Sequence, residues 1–374
     1  MSAAMGVVGF VVIIVVMIVV HEFGHFTAAR SFGIKVEEFF LGFGPKLFAR
    51  TRGETTYGVK AILLGGYVRI AGMNPWQTVP ESDMPRTFGA KPAWQRAIVL
   101  VAGSATHFVL ATLILIITFG VLGEPRTLPV VATFNRSSQG TAPPAEVAGL
   151  RPGDRVLSID GRPTRSWEQI RSYIRARPGQ TVSIELGRGG SRLEVPVTLG
   201  ETKGPGDPEP AGHLGVTAKL INERQSPPEA VLSALKGTGA LTVASIQGIG
   251  QIFSPAGLAR IFGSVTRSGE RSADEPFGIV GGARLASQAA AAGRISIMLN
   301  LLAGVVIFIG VINLAPFPPF DGGHLLVLGI EKITRRQVDM RKVVPVAVFV
   351  LSVVVALTVV ILYQDILNPI ANPF

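Results

Sequence analysis

Four long stretches of the chain carry almost no charge, and they restrict what it can fold into. They run over roughly Met5 to Phe26, Trp94 to Leu122, Ile295 to Phe317 and Val343 to Tyr363. Each is long enough for a helix to cross a bilayer core of about 30 Å. Because 48% of the residues are hydrophobic, only 16% are charged and the mean hydropathy is +0.43, we expect an α-helical polytopic membrane protein with four transmembrane helices.

The most informative polar residues lie inside the first stretch. His21, Glu22 and His25 directly follow the apolar run Val7 to Val20. On a helix the two histidines share a face from which both imidazoles can reach one tetrahedral Zn²⁺, and Glu22 between them is placed to take a proton. A charge at the bilayer centre costs about 2.5–3.5 kcal/mol on insertion scales, so groups kept there usually have a function. The plainer alternative is a helix end that emerges into the interface.

A third ligand is expected from another span, because a catalytic zinc usually has three protein ligands and one open position. The chain has no cysteine, so any metal must be held by histidine and carboxylate. The proline-rich segment Asn313 to Gly323 ends the third stretch, and irregular backbone at membrane depth is tolerated mainly where it is buried in protein or lines a wet cavity. Asp321 is therefore the predicted third ligand, although taken alone it would be interpreted as a helix N-cap.

These motifs together resemble a known family: the site-2 proteases, which are intramembrane zinc metalloproteases, and in particular their bacterial RseP-like branch. The resemblance covers most of the chain. Besides the two motifs above it includes Gly42-Phe43-Gly44-Pro45, Gly65-Gly66-Tyr67-Val68 and a PDZ-like insertion. Two positions depart from the family pattern. Phe320 stands where Leu is usual, and Gly103-Ser104-Ala105-Thr106-His107 stands where Gly-Pro-x-x-Asn is usual.

The resemblance implies roles for particular residues. His21, His25 and Asp321 would be zinc ligands and Glu22 the catalytic base. Asn313 would handle substrate, with a helix-packing hydrogen bond equally open. His107 is interpreted as a polar packing residue, with a fourth ligand or a proton relay as lesser alternatives.

The segment Thr56 to Ile70 is rich in β-forming residues, and its central Gly65-Gly66 predicts strands joined by a tight turn. An exposed edge here could pair with an unwound substrate, which would make Gly65, Gly66, Tyr67 and Val68 substrate-binding residues. The alternative is a simple surface hairpin.

The predicted organisation has four parts. Residues 1–123 form the first half of a membrane domain, with a membrane-associated β-hairpin in the cytoplasmic loop 42–73. Residues 124–220 form an extracytoplasmic PDZ-like α+β domain, because Ala145 to Gly161 has the helix, Pro-Gly-Asp turn, strand and Asp-Gly turn of the bacterial PDZ pattern. Residues 221–294 form an amphipathic helical linker, and residues 295–374 complete the membrane domain. Ser166 and Gln169 predict a short capped helix within the PDZ-like part.

Charge predicts the topology. The formal net charge of +10 would suggest nucleic acid in a soluble protein, but here its distribution matters more. The loops after the first stretch and before the fourth are basic, whereas the two ends of the chain lack Lys and Arg. Both termini and the PDZ-like domain are thus expected outside, and the active site near the cytoplasmic side of a bacterial inner membrane. The first stretch lacks a basic leader and a cleavage site, so we expect it to be retained.

The predicted function is cleavage of transmembrane segments in regulated intramembrane proteolysis. Single-span proteins such as anti-sigma factors, first trimmed outside by a site-1-type protease, would be the substrates, with Zn²⁺ as cofactor, the lipid bilayer as environment and no nucleic-acid partner. A non-catalytic PDZ-bearing adaptor is the alternative from another class. A peptidase of soluble or prenylated peptides at the membrane face is the third.

Overall fold

The computed structural model describes residues 3–74, 76–135, 142–202, 210–263, 271 and 275–370. Among them, four helices are long and apolar enough to cross a membrane. These are α1 (Ala3–Ser31), α2 (Ala93–Ile117, continued by a π-helical turn to Leu122), α8 (Ile295–Asn313) and α10 (Met340–Leu367). The four predicted stretches are confirmed. The third ends four residues early, at Asn313, because the segment containing Pro316, Pro318 and Pro319 cannot continue the helix.

The chain divides into two compact units, residues 1–121 with 225–374 and residues 122–224. The first unit is built around α1, α2 and α8. Their shared core includes Met17, Ala111 and Val306, and it is completed by Ala230 and Ala234 of α5 (Pro227–Ile252). Helix α5 starts at a capping box in which Ser226 and Glu229 satisfy each other's backbone donors, and α6 (Pro255–Gly263) follows it.

Helix α7 (Ile279–Ala291) packs its small residues against α1 and α8. Helix α9 (Asp321–Thr334) follows the proline segment. Helix α10 exposes most of its side chains and contacts α6 and α7. Its far end is held by a buried ion pair, in which Arg271 donates to Asp365 at 2.6 Å.

The loop between α1 and α2 forms a long β-hairpin whose turn differs from the predicted one. Strand β1 (Val36–Arg52) pairs with β2 (Thr55–Ile70), and the pairing of Arg52 with Thr55 places the tight turn at Gly53-Glu54. The predicted turn at Gly65-Gly66 is therefore wrong, since both glycines lie inside β2. The first part of β1 is flanked on both sides by β2, because Phe40 has Cα partners in both Gly58 and Tyr67.

The second unit is an α+β domain with a core of its own, to which Val156, Ile170, Ile184 and Leu186 contribute. Its main sheet is formed by β3 (Glu124–Phe134), β4 (Arg155–Ile159), β6 (Thr181–Arg188), β7 (Ser191–Thr198) and β10 (Val216–Glu223), in the order β10-β3-β4-β6-β7. The short strand β5 (Arg162–Pro163) pairs with β4, and β8 (Gly200–Thr202) pairs with β9 (Ala211–His213).

The described residues of this unit also form the helices α3 (Pro144–Val147) and α4 (Trp167–Arg175). The predicted capped helix is confirmed as α4, because the Ser166 side chain accepts a hydrogen bond from the Gln169 backbone N–H at 3.3 Å. Of the Gly/Pro-rich stretch 202–210, residues 203–209 lie outside the described residues.

Candidate metal centre

Three predicted ligand atoms converge where α1 meets α9. The Nε2 atoms of His21 and His25 lie 3.2 Å apart, and Asp321 Oδ2 lies 3.5 Å from the first and 3.3 Å from the second. Around a tetrahedral zinc with bonds of about 2.0–2.1 Å, ligand atoms stand about 3.3–3.4 Å apart. The three atoms therefore already have the separations of one face of a zinc coordination tetrahedron.

The hydrogen bonding of His25 also fits a metal. Its Nδ1 lies 2.8 Å from the backbone carbonyl of Val99 on α2. A carbonyl only accepts, so Nδ1 carries the hydrogen and the Nε2 lone pair of the neutral ring is left to point at His21 and Asp321. On the other side, Asp321 Oδ2 is buried and has no hydrogen-bond partner among the described residues. Lone pairs turned toward one another in this way are what a bound cation would neutralise.

Glycines allow the close packing around these side chains. A Cβ on Gly103 of α2 would lie 2.8 Å from Cε1 of His21 and would also overlap the His25 ring. Cβ atoms on Gly322 and Gly323 would run into the backbone of the preceding segment, which includes Leu314 and Phe317. The two glycines after Asp321 therefore allow the start of α9 to pack closely against this segment. This packing places Asp321 beside the histidines. Phe320 is the residue that precedes the helix, so Asp321 is not its N-cap.

Glu22 faces strand β2. A Cβ on Gly66 would lie 3.0 Å from Cγ of Glu22 and 3.1 Å from Cγ2 of Ile18, so the absence of a side chain here eases the close approach of the strand to α1. The backbone N–H of Val68 lies near enough to the Glu22 carboxylate to interact with it. Tyr67 donates a hydrogen bond from its hydroxyl to Glu38 at 2.6 Å and stacks on Phe40, which anchors this end of the strand.

A cavity of about 420 Å³ lies beside this strand. It is lined by β2 from Tyr67 to Ile70, by Pro318 and Pro319, by His324 of α9 and by the start of α10. Of the predicted substrate-binding residues, Tyr67 and Val68 line it and Gly66 packs against Glu22. Gly65 has a φ of 144° and packs against the Phe43 ring instead. Asn313 is the last residue of α8 and is half-buried, and no described contact joins it to the three converging side chains.

Sequence reasoning missed several residues around the centre. Gly103 was noted only as part of a departure from the family pattern, and Val99 and His324 were not singled out. One sequence signal could have identified this face of α2: a glycine stands four residues before a histidine in the second span. Residues four apart face the same side of a helix. His107 does face this side, and its ring centroid is 5.0 Å from that of His21.

The fold and the site define a class, metalloproteases embedded in a membrane, and comparison with known proteins gives the family. The model of peptidase family M50 matches residues 9–360. The chain belongs to this family, the site-2 proteases, and is a zinc metalloprotease. It is similar to the zinc metalloproteases Rip1 of Mycobacterium tuberculosis, with 29% identity over 98% of each chain, and of Mycolicibacterium smegmatis, with 30% identity over 99% of each.

A solved PDZ domain of an SdrC-like protein from Listeria monocytogenes matches 25% of the chain and 90% of its own length, with 24% identity and a TM-score of 0.20. The likeness is too weak to support an argument about the second unit. Its PDZ-like interpretation therefore depends on the sequence pattern from Ala145 to Gly161.

Proposed function

We propose that this zinc metalloprotease cleaves peptide bonds within the transmembrane segments of single-span membrane proteins. The proposal depends on one observation. His21, Glu22 and His25 lie within α1, a helix apolar enough to span a bilayer, and Asp321 reaches both imidazoles. A protease of soluble peptides has no need for such a location, since each ionisable group inside a membrane must be offset by apolar residues or a partner.

In this proposal the zinc would be held by His21 Nε2, His25 Nε2 and Asp321 Oδ2. The bound metal would supply Lewis acidity, which favours both the attack of water and the polarisation of the substrate carbonyl. Glu22 takes the proton of the attacking water at its carboxylate and passes it to the leaving nitrogen. Val68, through its backbone N–H, helps to hold that carboxylate in place.

Strand pairing would expose the scissile bond. A peptide bond in a transmembrane helix is hydrogen-bonded within the helix, so the substrate must be unwound before it is cut. Residues 66–70 of β2 pair with β1 on one side, and their side chains from Tyr67 onward line the cavity. An extended segment added to this edge would satisfy its backbone groups while passing beside Glu22.

The membrane orientation belongs to the same proposal. The basic loops after α1 and before α10 support a cytoplasmic position for the hairpin and a metal centre near the cytoplasmic side. Both termini and residues 122–224 would then lie outside a bacterial inner membrane. There the PDZ-like domain would act as a size filter, admitting substrates such as anti-sigma factors only after a site-1-type protease has removed their ectodomains.

Purified protein in liposomes tests this directly. We expect wild type to cleave a single-span substrate with a short ectodomain, and Glu22→Gln to bind the same amount of zinc without cleaving it. A folded domain fused to the substrate's outer end should block cleavage, and a soluble unstructured peptide should be a poor substrate. Preferred cleavage of the soluble peptide would contradict the intramembrane assignment.

The native host gives a second test. Membrane proteomics of cells that carry only Glu22→Gln should show trimmed single-span stubs that are absent from wild type. If no such stubs accumulate, the proposed substrate class is wrong even if zinc binding is confirmed.

A further inference from the structure

His107 lies in the middle of α2, between α1 and α8. Its side chain is 1% exposed. The Nδ1 atom is 3.2 Å from the backbone carbonyl of Val306 on α8, and the absence of a side chain at Gly310 makes room for the ring. The ring also meets that of His21 edge to face, with 5.0 Å between centroids. A histidine is thus enclosed by protein at the back of the proposed metal centre.

The hydrogen bond to Val306 assigns the hydrogens of this imidazole. A carbonyl only accepts, so Nδ1 of His107 is the donor, and in the neutral ring Nε2 is an acceptor. This Nε2 is buried and has no hydrogen-bond partner among the described residues. A buried acceptor without a donor is unusual in a folded protein and calls for an explanation.

His21 presents the matching donor. Its Nε2 faces His25 and Asp321, so a zinc held there requires the hydrogen on Nδ1. That Nδ1 is also buried, and among the described residues it makes no hydrogen bond of normal geometry. The two rings meet edge to face with 5.0 Å between centroids, so the one offers a donor and the other an acceptor across this contact.

We propose that His107 is a positioning residue of the metal centre: its Nε2 accepts a hydrogen bond from Nδ1–H of His21 when zinc is bound. This bond selects the His21 tautomer that leaves Nε2 free for the metal and sets the orientation of the ring. Partners of this kind behind a metal-bound histidine typically change metal affinity 10–100-fold when they are removed. The inference rests on the proposed function, because it takes His21 as a ligand.

One other acceptor lies close to His21, the backbone carbonyl of Gly103. This carbonyl already accepts a hydrogen bond from the Thr106 hydroxyl at 2.6 Å. Substitutions at His107 leave that carbonyl in place. They therefore separate its contribution from that of the imidazole.

The test uses two variants of the full-length protein. His107→Met fills the space without an acceptor, whereas the amide oxygen of His107→Gln reaches about as far as the imidazole Nε2. Zinc affinity is measured by chelator competition in detergent, and the absorption spectrum of the Co²⁺-loaded protein reports on ligand geometry. We expect His107→Met to bind zinc 10–100-fold more weakly with an altered Co²⁺ spectrum, and His107→Gln to restore both to within about threefold of wild type.

Two results would overturn the proposal: zinc affinity unchanged in His107→Met, or the same loss in both variants. Thermal unfolding without metal, compared among the three proteins, shows whether a loss comes from misfolding. If His107→Met does not fold, the Co²⁺ spectrum and affinity of His107→Gln still decide, since a role in packing alone predicts no preference for an acceptor. His25→Ala separates the two proposals. If it keeps full zinc affinity, the ligand set itself is wrong; if it loses zinc while His107→Met does not, only the role of His107 fails.

Discussion

His25 is tied to Val99 by a hydrogen bond of 2.8 Å between its imidazole Nδ1 and the backbone carbonyl. This bond joins the helix that carries the two histidines to its neighbour α2. Because it assigns the hydrogen to Nδ1, it leaves Nε2 to face His21 and Asp321. The orientation of a proposed metal ligand is thus determined by the backbone of a different span. Changes in the packing of α2 should therefore alter the zinc affinity.

Gly103→Ala tests this dependence. The added Cβ would overlap the rings of His25 and His21, so we expect zinc affinity to fall at least tenfold and proteolysis to be lost. Alanine is otherwise favoured over glycine in a helix by about 1 kcal/mol, so a loss must come from the collision. Gly329→Ala is the control, because no atom of the part of the chain that the structure describes lies within 4 Å of its added Cβ. Metal analysis of the purified proteins measures the effect, and full zinc content in Gly103→Ala would contradict it.

Gly66→Ala should separate catalysis from metal binding. Its Cβ would lie 3.0 Å from Cγ of Glu22, so the strand or the carboxylate must give by a few tenths of an ångström. A displacement of about 1 Å near reacting groups can cost 100-fold, so for this smaller shift we expect cleavage to fall by up to about tenfold with zinc content unchanged. Gly89→Ala is the control, since its surroundings are open. Loss of zinc from Gly66→Ala would show instead that the strand supports the metal centre.

Arg271→Met should destabilise the first unit, residues 1–121 with 225–374. The guanidinium is buried, donates to Asp365 at 2.6 Å and also bonds to the carbonyls of Asn368 and Pro276. Removing one partner of a buried ion pair typically costs about 3–5 kcal/mol, because the other charge remains out of water. Thermal unfolding in detergent measures the change. Arg260→Met, at an exposed site, should have little effect, and equal melting temperatures of the two variants would show that the pair does not stabilise this end of α10.

The second unit should lose stability in acid through Asp154. Its buried carboxylate accepts two hydrogen bonds from Arg188 and one from the backbone of Arg151, and the Arg188 bonds hold the pKa of Asp154 below its usual value. Since the unfolded chain binds the proton more tightly, this stabilisation is present above an unfolded pKa of about 3.9 and is lost as the pH falls through the folded pKa.

Asp154→Asn should therefore destabilise the domain by about 2 kcal/mol at neutral pH, the typical contribution of hydrogen bonds to a charged group, and weaken its dependence on pH below about 4. Trp167 packs against the core of this unit, so its fluorescence reports unfolding once Trp76 and Trp94 are replaced by Phe. An unchanged pH profile in Asp154→Asn would mean that other carboxylates dominate the acid response.

Local sequence patterns were sufficient to predict features that depend on interactions between residues close in sequence. Transmembrane helices satisfy their own backbone hydrogen bonds, so apolar length alone located all four. Helical periodicity likewise placed His21 and His25 on one face, and the pairing of Ser166 with Gln169 marked the start of α4. The prediction of Asp321 as a ligand could not be made from periodicity alone. It was inferred from the prolines that interrupt the backbone before it and from the family resemblance.

The position of the hairpin turn could not be predicted from composition. Composition suggested a turn at Gly65-Gly66, but the turn is at Gly53-Glu54 and Gly66 packs closely against Glu22. A glycine that permits a turn and one that permits close packing look the same in a sequence, because both only lack a side chain.

The sequence by itself determined the membrane class, the spans and the residue types of the metal centre, since apolar length and helical spacing are written along the chain. The tertiary structure decided how α9 brings Asp321 to within 3.5 Å of both histidines, which backbone carbonyl orients His25, and that His107 stands behind His21. These relationships join residues far apart in sequence. They depend on how closely helices and strand approach, which glycines permit and which only the packed molecule reveals.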